Sequence, residues 1–128
     1  MARVANYEHF SDVSFDLQIG ADIDMDLTAV IENTPQGGEG CLLTWNVRLE
    51  GSGDSVTYRV LVNGDLQNTF TATTKDWHSL QETVSTTVVK KGENTVRFVV
   101  TGGTGRLSIG DVVLFYRHDI GPGGLAIG

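Results

Sequence analysis

The chain has 128 residues, 40% of them apolar and 20% charged, which is the content of a globular domain and excludes a disordered segment. Nine Lys and Arg against sixteen Asp and Glu leave a net charge of −7. The basic residues are scattered, with Lys90-Lys91 the one adjacent pair, so a nucleic-acid backbone is excluded as a partner.

Taken in chain order, the segment Met1–His9 lacks the apolar stretch of a signal peptide, and no run in the chain reaches membrane-spanning length. This fits a cytoplasmic protein, one exported without a classical signal, or one whose leader has been removed. Val13, Phe15, Leu17 and Ile19 then alternate with polar residues, as do Ile23, Met25, Leu27, Ala29 and Ile31. Such period-2 runs predict strands with one face buried. The Gly-rich stretch 33–40 reads as a loop. Cys41 is the only cysteine, so no disulfide can form within the chain.

Leu43, Trp45, Val47 and Leu49 give the next strand, with Trp45 facing the core, and Val56, Tyr58, Val60 and Val62 the one after. Gly51-Ser52-Gly53-Asp54 between them reads as a turn. Asn63-Gly64 is a hairpin signal, because both residues accept positive φ. Trp77, Leu80, Val84 and Val88 have helical spacing, but the β-branched residues from Thr83 to Val89 favour a loop leading into a strand from about Thr83. Lys91-Gly92-Glu93-Asn94 turns the chain into Val96, Phe98 and Val100. Gly102-Gly103-Thr104-Gly105-Arg106 lacks the Lys and the following helix of a phosphate loop, and reads as a hairpin turn. These runs predict an all-β, antiparallel, two-sheet β-sandwich over residues 1–120, followed by a Gly-rich tail at 121–128.

The order of motifs in the second half has a known counterpart. Val60-Leu61-Val62-Asn63-Gly64 ends a strand in Asn-Gly, and Asp76-Trp77-His78-Ser79-Leu80 opens the next segment. Val89-Lys90-Lys91-Gly92-Glu93-Asn94-Thr95-Val96 forms a Gly/Asn turn, and Leu107-Ser108-Ile109-Gly110-Asp111-Val112 supplies a last strand with an embedded Asp. Over residues 55–116 this resembles the galactose-binding-like jelly rolls, especially the carbohydrate-binding modules appended to glycoside hydrolases. The resemblance implies a jelly roll and a sugar bound by loops at one end of the sandwich. Two positions depart from it: Leu80 stands where such modules commonly carry a second aromatic, and Gly110 precedes the Asp of the last strand.

The candidate ligand residues are Trp77, His78 and Asp76, with Asn63, Asp65 and Arg106 as polar partners to a glycan or other neutral polar ligand. Trp77 is open to two readings, a stacking platform for a sugar or a cap on the end of the core. Asp22, Asp24 and Asp26 stand about 6–7 Å apart on one strand face. With Asp111 or Glu8 they could hold calcium, or they could be a solvated face that discourages edge pairing. No other cofactor is expected. His9, His78 and His118 are far apart, and no Ser lies in a nucleophile elbow, so the sequence predicts no enzyme. The first functional expectation is a non-catalytic, lectin-like module. The alternative is a structural subunit forming homo-oligomers through sheet edges and through Leu125 and Ile127 of the tail.

Overall fold

The structure, a computed structural model, describes residues 2–120. Seven strands follow one another: β1 (Ala2–Ser11), β2 (Phe15–Gln18), β3 (Asp24–Ile31), β4 (Cys41–Val62), β5 (Asp65–Ala72), β6 (His78–Val84) and β7 (Gly92–Ile120). All pairings are antiparallel. No helix among the described residues is long and apolar enough to cross a membrane. The architecture is a two-sheet jelly-roll sandwich built on the two long strands, β4 and β7, which pair along nearly their whole length. In one sheet β1 and β2 flank residues 106–120 of β7, which pair with residues 42–50 of β4, with β6 beyond. In the other, β3, residues 92–104 of β7, residues 55–62 of β4 and β5 lie side by side. The runs Val56–Val62 and Val96–Val100, whose few charges predict interior strands, each have a strand on both sides.

The two Gly-rich stretches read as turns are instead the corner at which this ribbon passes from one sheet to the other. Residues 51–54 and 102–105 stay in strand conformation, and the register slips between Glu50 and Ser55. Glycine is required here by space. A Cβ on Gly53 would lie 2.0 Å from the Thr104 carbonyl oxygen, and one on Gly103 (φ 98°) would lie 2.2 Å from that of Ser55. Alternation on either side of a glycine cluster looks the same whether the chain reverses or bends.

Bending brings the two halves of β4 face to face. The Trp45 indole N–H donates to the Tyr58 hydroxyl at 3.0 Å, in the buried core. Phe70 stacks on Tyr58 with centroids 5.6 Å apart, and Phe98 meets Trp45 edge-on at 5.7 Å. Leu17, Leu43, Val47, Leu49, Val60 and Val96 complete the same cluster, which Phe15 and Leu80 flank.

Asn63-Gly64 forms the expected two-residue hairpin, with φ of 50° and 85° and Val62 paired to Asp65. Two other segments differ from expectation. Strand β6 occupies residues 78–84 and turns follow it, so the strand ends just past Thr83 instead of beginning there. Its alternation holds because Leu80 and Val84 pair opposite Trp45 and Cys41. Strand β1, at the N-terminus, carries no clear alternation and is held by β7 from Ala2 to Ser11. The 121–128 tail lies outside the described residues.

Substituting Gly53 by Ala is expected to cost at least ~3 kcal/mol in urea unfolding or to prevent folding, while Gly102→Ala, with open space around it, stays within about 1 kcal/mol. Equal effects would overturn the corner.

Alkaline stability follows from Tyr58, whose phenol burial pushes up to about 12 from the ordinary 10. Between those values the folded state holds a proton that the unfolded state has released. Stability from this group is full below pH 10 and is lost as pH rises to 12, by about 2–3 kcal/mol. Tyr58→Phe should shrink that loss. It should also cost about 1–3 kcal/mol at neutral pH, because Trp45 keeps a buried, unpaired N–H.

Candidate functional site

Outward-facing residues of the β4 half 41–50 alternate with the core: Leu42, Thr44, Asn46, Arg48 and Glu50 face away from Leu43, Trp45, Val47 and Leu49. Pairing puts Ser79 of β6 beside Asn46, Ser108 of β7 beside Arg48, and Arg106 beside Glu50 on the same face. Asp16 of β2 joins the row, its carboxylate accepting from the Ser108 hydroxyl at 2.5 Å.

A bulge in β7 changes the pattern locally. Asn46 pairs with Gly110 and Thr44 with Val113, so one extra residue of β7 lies opposite Trp45. Asp111 takes up that residue with φ 50°. Its carboxylate turns to the outer face and accepts from the Asn46 amide at 3.1 Å, while the Asn46 carbonyl accepts from the Ser79 hydroxyl at 2.7 Å. Bulges re-aim side chains in this way. A Gly-Asp pair interrupting an alternating strand was the sequence signal for it.

Two loops wall the cleft that results. The β1–β2 connection contributes Asp12 and Ser14. The segment before β6 contributes Trp77 and is tied down by two contacts: the Leu49 N–H donates to the Thr74 carbonyl at 2.9 Å, and the Lys75 ammonium reaches the Gly51 carbonyl at 2.5 Å. Trp77 is 44% exposed. Its ring lies over the Arg48 guanidinium, 4.8 Å from the centroid, and Arg48 also pairs with Glu50. The Arg48 Nε is buried with no hydrogen-bond partner among the described residues, and the overlying π-system offers partial compensation. Asp12, Ser14, Asn46, Trp77, Gly110 and Asp111 together line a cleft of about 310 Å³. Gly110 keeps its floor low: a Cβ there would already stand 3.4 Å from Ser14 and 3.9 Å from the Trp77 ring.

The residues singled out from sequence divide. Trp77 lines the cleft, and Arg106 stands on the same face, 3.7 Å from Glu50. Asp76 is exposed beside Trp77, and its carbonyl lies 3.2 Å from the His78 ring. His78 pairs with Val47, which directs it to the inner side of the sheet, away from the cleft. Asn63 and Asp65 belong to the β4–β5 hairpin, at the end of the other sheet remote from the corner. There the Asn63 amide donates to the Val88 carbonyl and to Asn94, and accepts from the Thr95 N–H, so its polar groups are spent within the fold. The cleft thus lies on a sheet face near the corner, flanked by two loops, and not among loops at the end of the sandwich. Asp12, Ser14 and Asn46 were not foreseen, because no sequence spacing connects three segments that only the bent ribbon brings together.

The calcium constellation does not assemble. Asp22 precedes β3, and Asp24 and Asp26 lie on the outer face of the other sheet, where Arg97 pairs with both. Asp111 lies on the opposite side of the sandwich. Among the described residues no three His, Cys, Asp or Glu side chains converge as metal ligands.

No protein-family model matches the sequence, and no protein of curated function is detectably similar to it. Solved structures share its fold. The CBM36-1 domain of a multidomain xylanase from the hindgut metagenome of Trinervitermes trinervoides superposes with a TM-score of 0.53 at 11% identity, covering 92% of this chain and 99% of that domain. A family 35 carbohydrate-binding module from Clostridium thermocellum gives 0.53 at 10% identity, with 86% and 97% covered. A chain of infectious bursal disease virus, Gt strain, gives 0.54 at 15% identity, covering 97% of this chain and 35% of that one. The chain therefore has the jelly-roll fold of carbohydrate-binding modules, a fold that also occurs in a virus, so fold alone does not choose a function.

Acrylamide quenching tests the placement of the two tryptophans, since Trp45 is 1% exposed. Wild-type emission should be partly quenched, and Trp77→Phe should leave a blue-shifted, quench-resistant signal. Equal quenching of the two proteins would put Trp77 in the core.

Proposed function

We propose that the protein is a non-catalytic carbohydrate-binding module whose glycan docks in the cleft beside Trp77. The observation that carries this reading is an exposed indole, backed on one face by Arg48, standing beside the hydrogen-bonding oxygens of Asn46, Asp111, Asp12 and Ser14. A sugar ring presents C–H groups on one face and hydroxyls around its edge. The indole suits the first and the carboxylates and amide suit the second. The guanidinium and the anchored 73–77 segment fix the indole before any ligand arrives, which lowers the ordering cost of binding.

The cleft lining contains no His, Cys or Lys among the described residues. Cys41 lies buried in the core, where burial pushes its thiol up to about 11, so it is no nucleophile at neutral pH.

Calorimetric titration with neutral oligosaccharides chosen by a glycan array tests the proposal. Trp77→Ala should weaken binding by at least about tenfold, and Asn46→Ala by a similar factor, with thermal midpoints close to wild type. Saccharide binding that survives Trp77→Ala unchanged would overturn the site. Absence of any saccharide ligand would overturn the function.

A further inference from the structure

The outer face that holds the Trp77 cleft does not end there. Beyond Asn46 a second basin of about 640 Å³ is lined by Thr44, Ser79, Leu80, Gln81 and Phe115. Ser79 connects the two: it lines this basin while its hydroxyl donates to Asn46 in the first. Thr44 and Asn46 are successive outward residues of β4, and Leu42, the next, pairs with Phe115. Four steps of strand lead from Asn46 to Leu42, about 13 Å at the usual rise. Phe115 is 44% exposed, and Tyr7, 55% exposed, pairs with it across β1 and β7 with ring centroids 6.1 Å apart. Two large rings thus stand open beside the Thr44 and Ser79 hydroxyls and the Gln81 amide, with the His9 ring edge-on to Tyr7.

Resting on the carbohydrate-binding reading, we propose that this face is one continuous groove for a linear, neutral glycan chain, with Phe115 and Tyr7 as a second stacking platform. The span of about 13 Å from Asn46, in the first cleft, to Leu42, beside Phe115, exceeds a single sugar ring, so both basins are filled only by an oligosaccharide. Among the described residues the second basin has no charged side chain in its lining, and the charges lining the first are the carboxylates Asp12 and Asp111. Hydroxyl donors are welcome to these acceptors, whereas the carboxylate of a uronic or sialic acid meets like charge. Phe115 and Tyr7 stand on the sheet, and the segment carrying Trp77 is tied to it through Leu49 and Lys75, so the separation of the two platforms is restricted and selects extended chains over branched or compact ones.

The test measures affinity along a ladder from mono- to hexasaccharide in the gluco-, xylo- and manno-series, with an oligouronate alongside. Wild type should gain at least about tenfold in affinity from the shortest to the longest member of the series it binds, and should not bind the oligouronate. Phe115→Thr, which keeps strand propensity, and Tyr7→Ser should each erase most of that gain while leaving the affinity for the shortest bound sugar unchanged. Trp77→Ala should lose short and long ligands alike. Affinity independent of chain length, a gain that survives Phe115→Thr and Tyr7→Ser, or preference for the oligouronate would overturn the groove and leave the Trp77 site standing. If no sugar binds wild type, both readings fall. Light scattering of wild type and Phe115→Thr completes the test: a dimer that Phe115→Thr dissociates would make the patch a self-association surface and overturn the groove.

Discussion

The fold depends on a bend. Strands β4 and β7 run as one antiparallel ribbon, and at Gly53 and Gly103 their backbones approach so closely that no side chain fits between them. A ribbon with side chains at these positions would have to open its corner, and the two apolar faces would then lose each other. The hydrogen bond between Trp45 and Tyr58, thirteen residues apart on the same strand, forms only because the strand has turned back over itself. Close packing of Trp45, Tyr58, Phe70 and Phe98 at that junction makes the sandwich a single apolar cluster. Interiors packed to this degree transmit strain, so the corner and the aromatic junction act as one constraint.

The outer surface inherits its order from the same ribbon. Because Leu43, Trp45, Val47 and Leu49 must face inward, Asn46 and Arg48 must face outward, and the pairing register dictates that Ser79, Ser108 and Arg106 accompany them. The bulge at Asp111 adds a carboxylate where regular pairing would have left only Gly110. A positive φ at a non-glycine residue carries a modest energetic cost, and such positions cluster at sites of function. Here that cost turns an acceptor toward the Asn46 amide at the floor of the cleft.

Arg48 shows how charge is handled on this face. Its guanidinium lies beneath an indole and against Glu50, which also approaches Arg106, so its charge is balanced within the protein. The charged side chains lining the cleft among the described residues are the carboxylates Asp12 and Asp111 rather than free cations. That asymmetry agrees with the net charge of −7.

Alternation in the sequence determined the all-β class and the inward position of Trp45, because a strand with one buried face has no other way to order its residues, and the few charges of Val56–Val62 and Val96–Val100 marked their central place. The Asn63-Gly64 hairpin was equally legible, since few other pairs satisfy two successive positive φ values. Strand β1 left no trace of comparable strength: its residues Arg3, Ala5, Asn6 and Tyr7 are exposed, and its order comes from pairing with β7. The sequence did not separate a turn from a corner at 51–54 and 102–105, because both need glycine and the difference lies in a partner strand fifty residues away. For the same reason it marked Trp77 but not Asn46, Asp12 or Ser14. It offered His78 and Asn63, which period and hairpin geometry send elsewhere. Side chains of ordinary type become a cleft only when a bent ribbon, a bulge and two loops converge, and that convergence belongs to the tertiary structure.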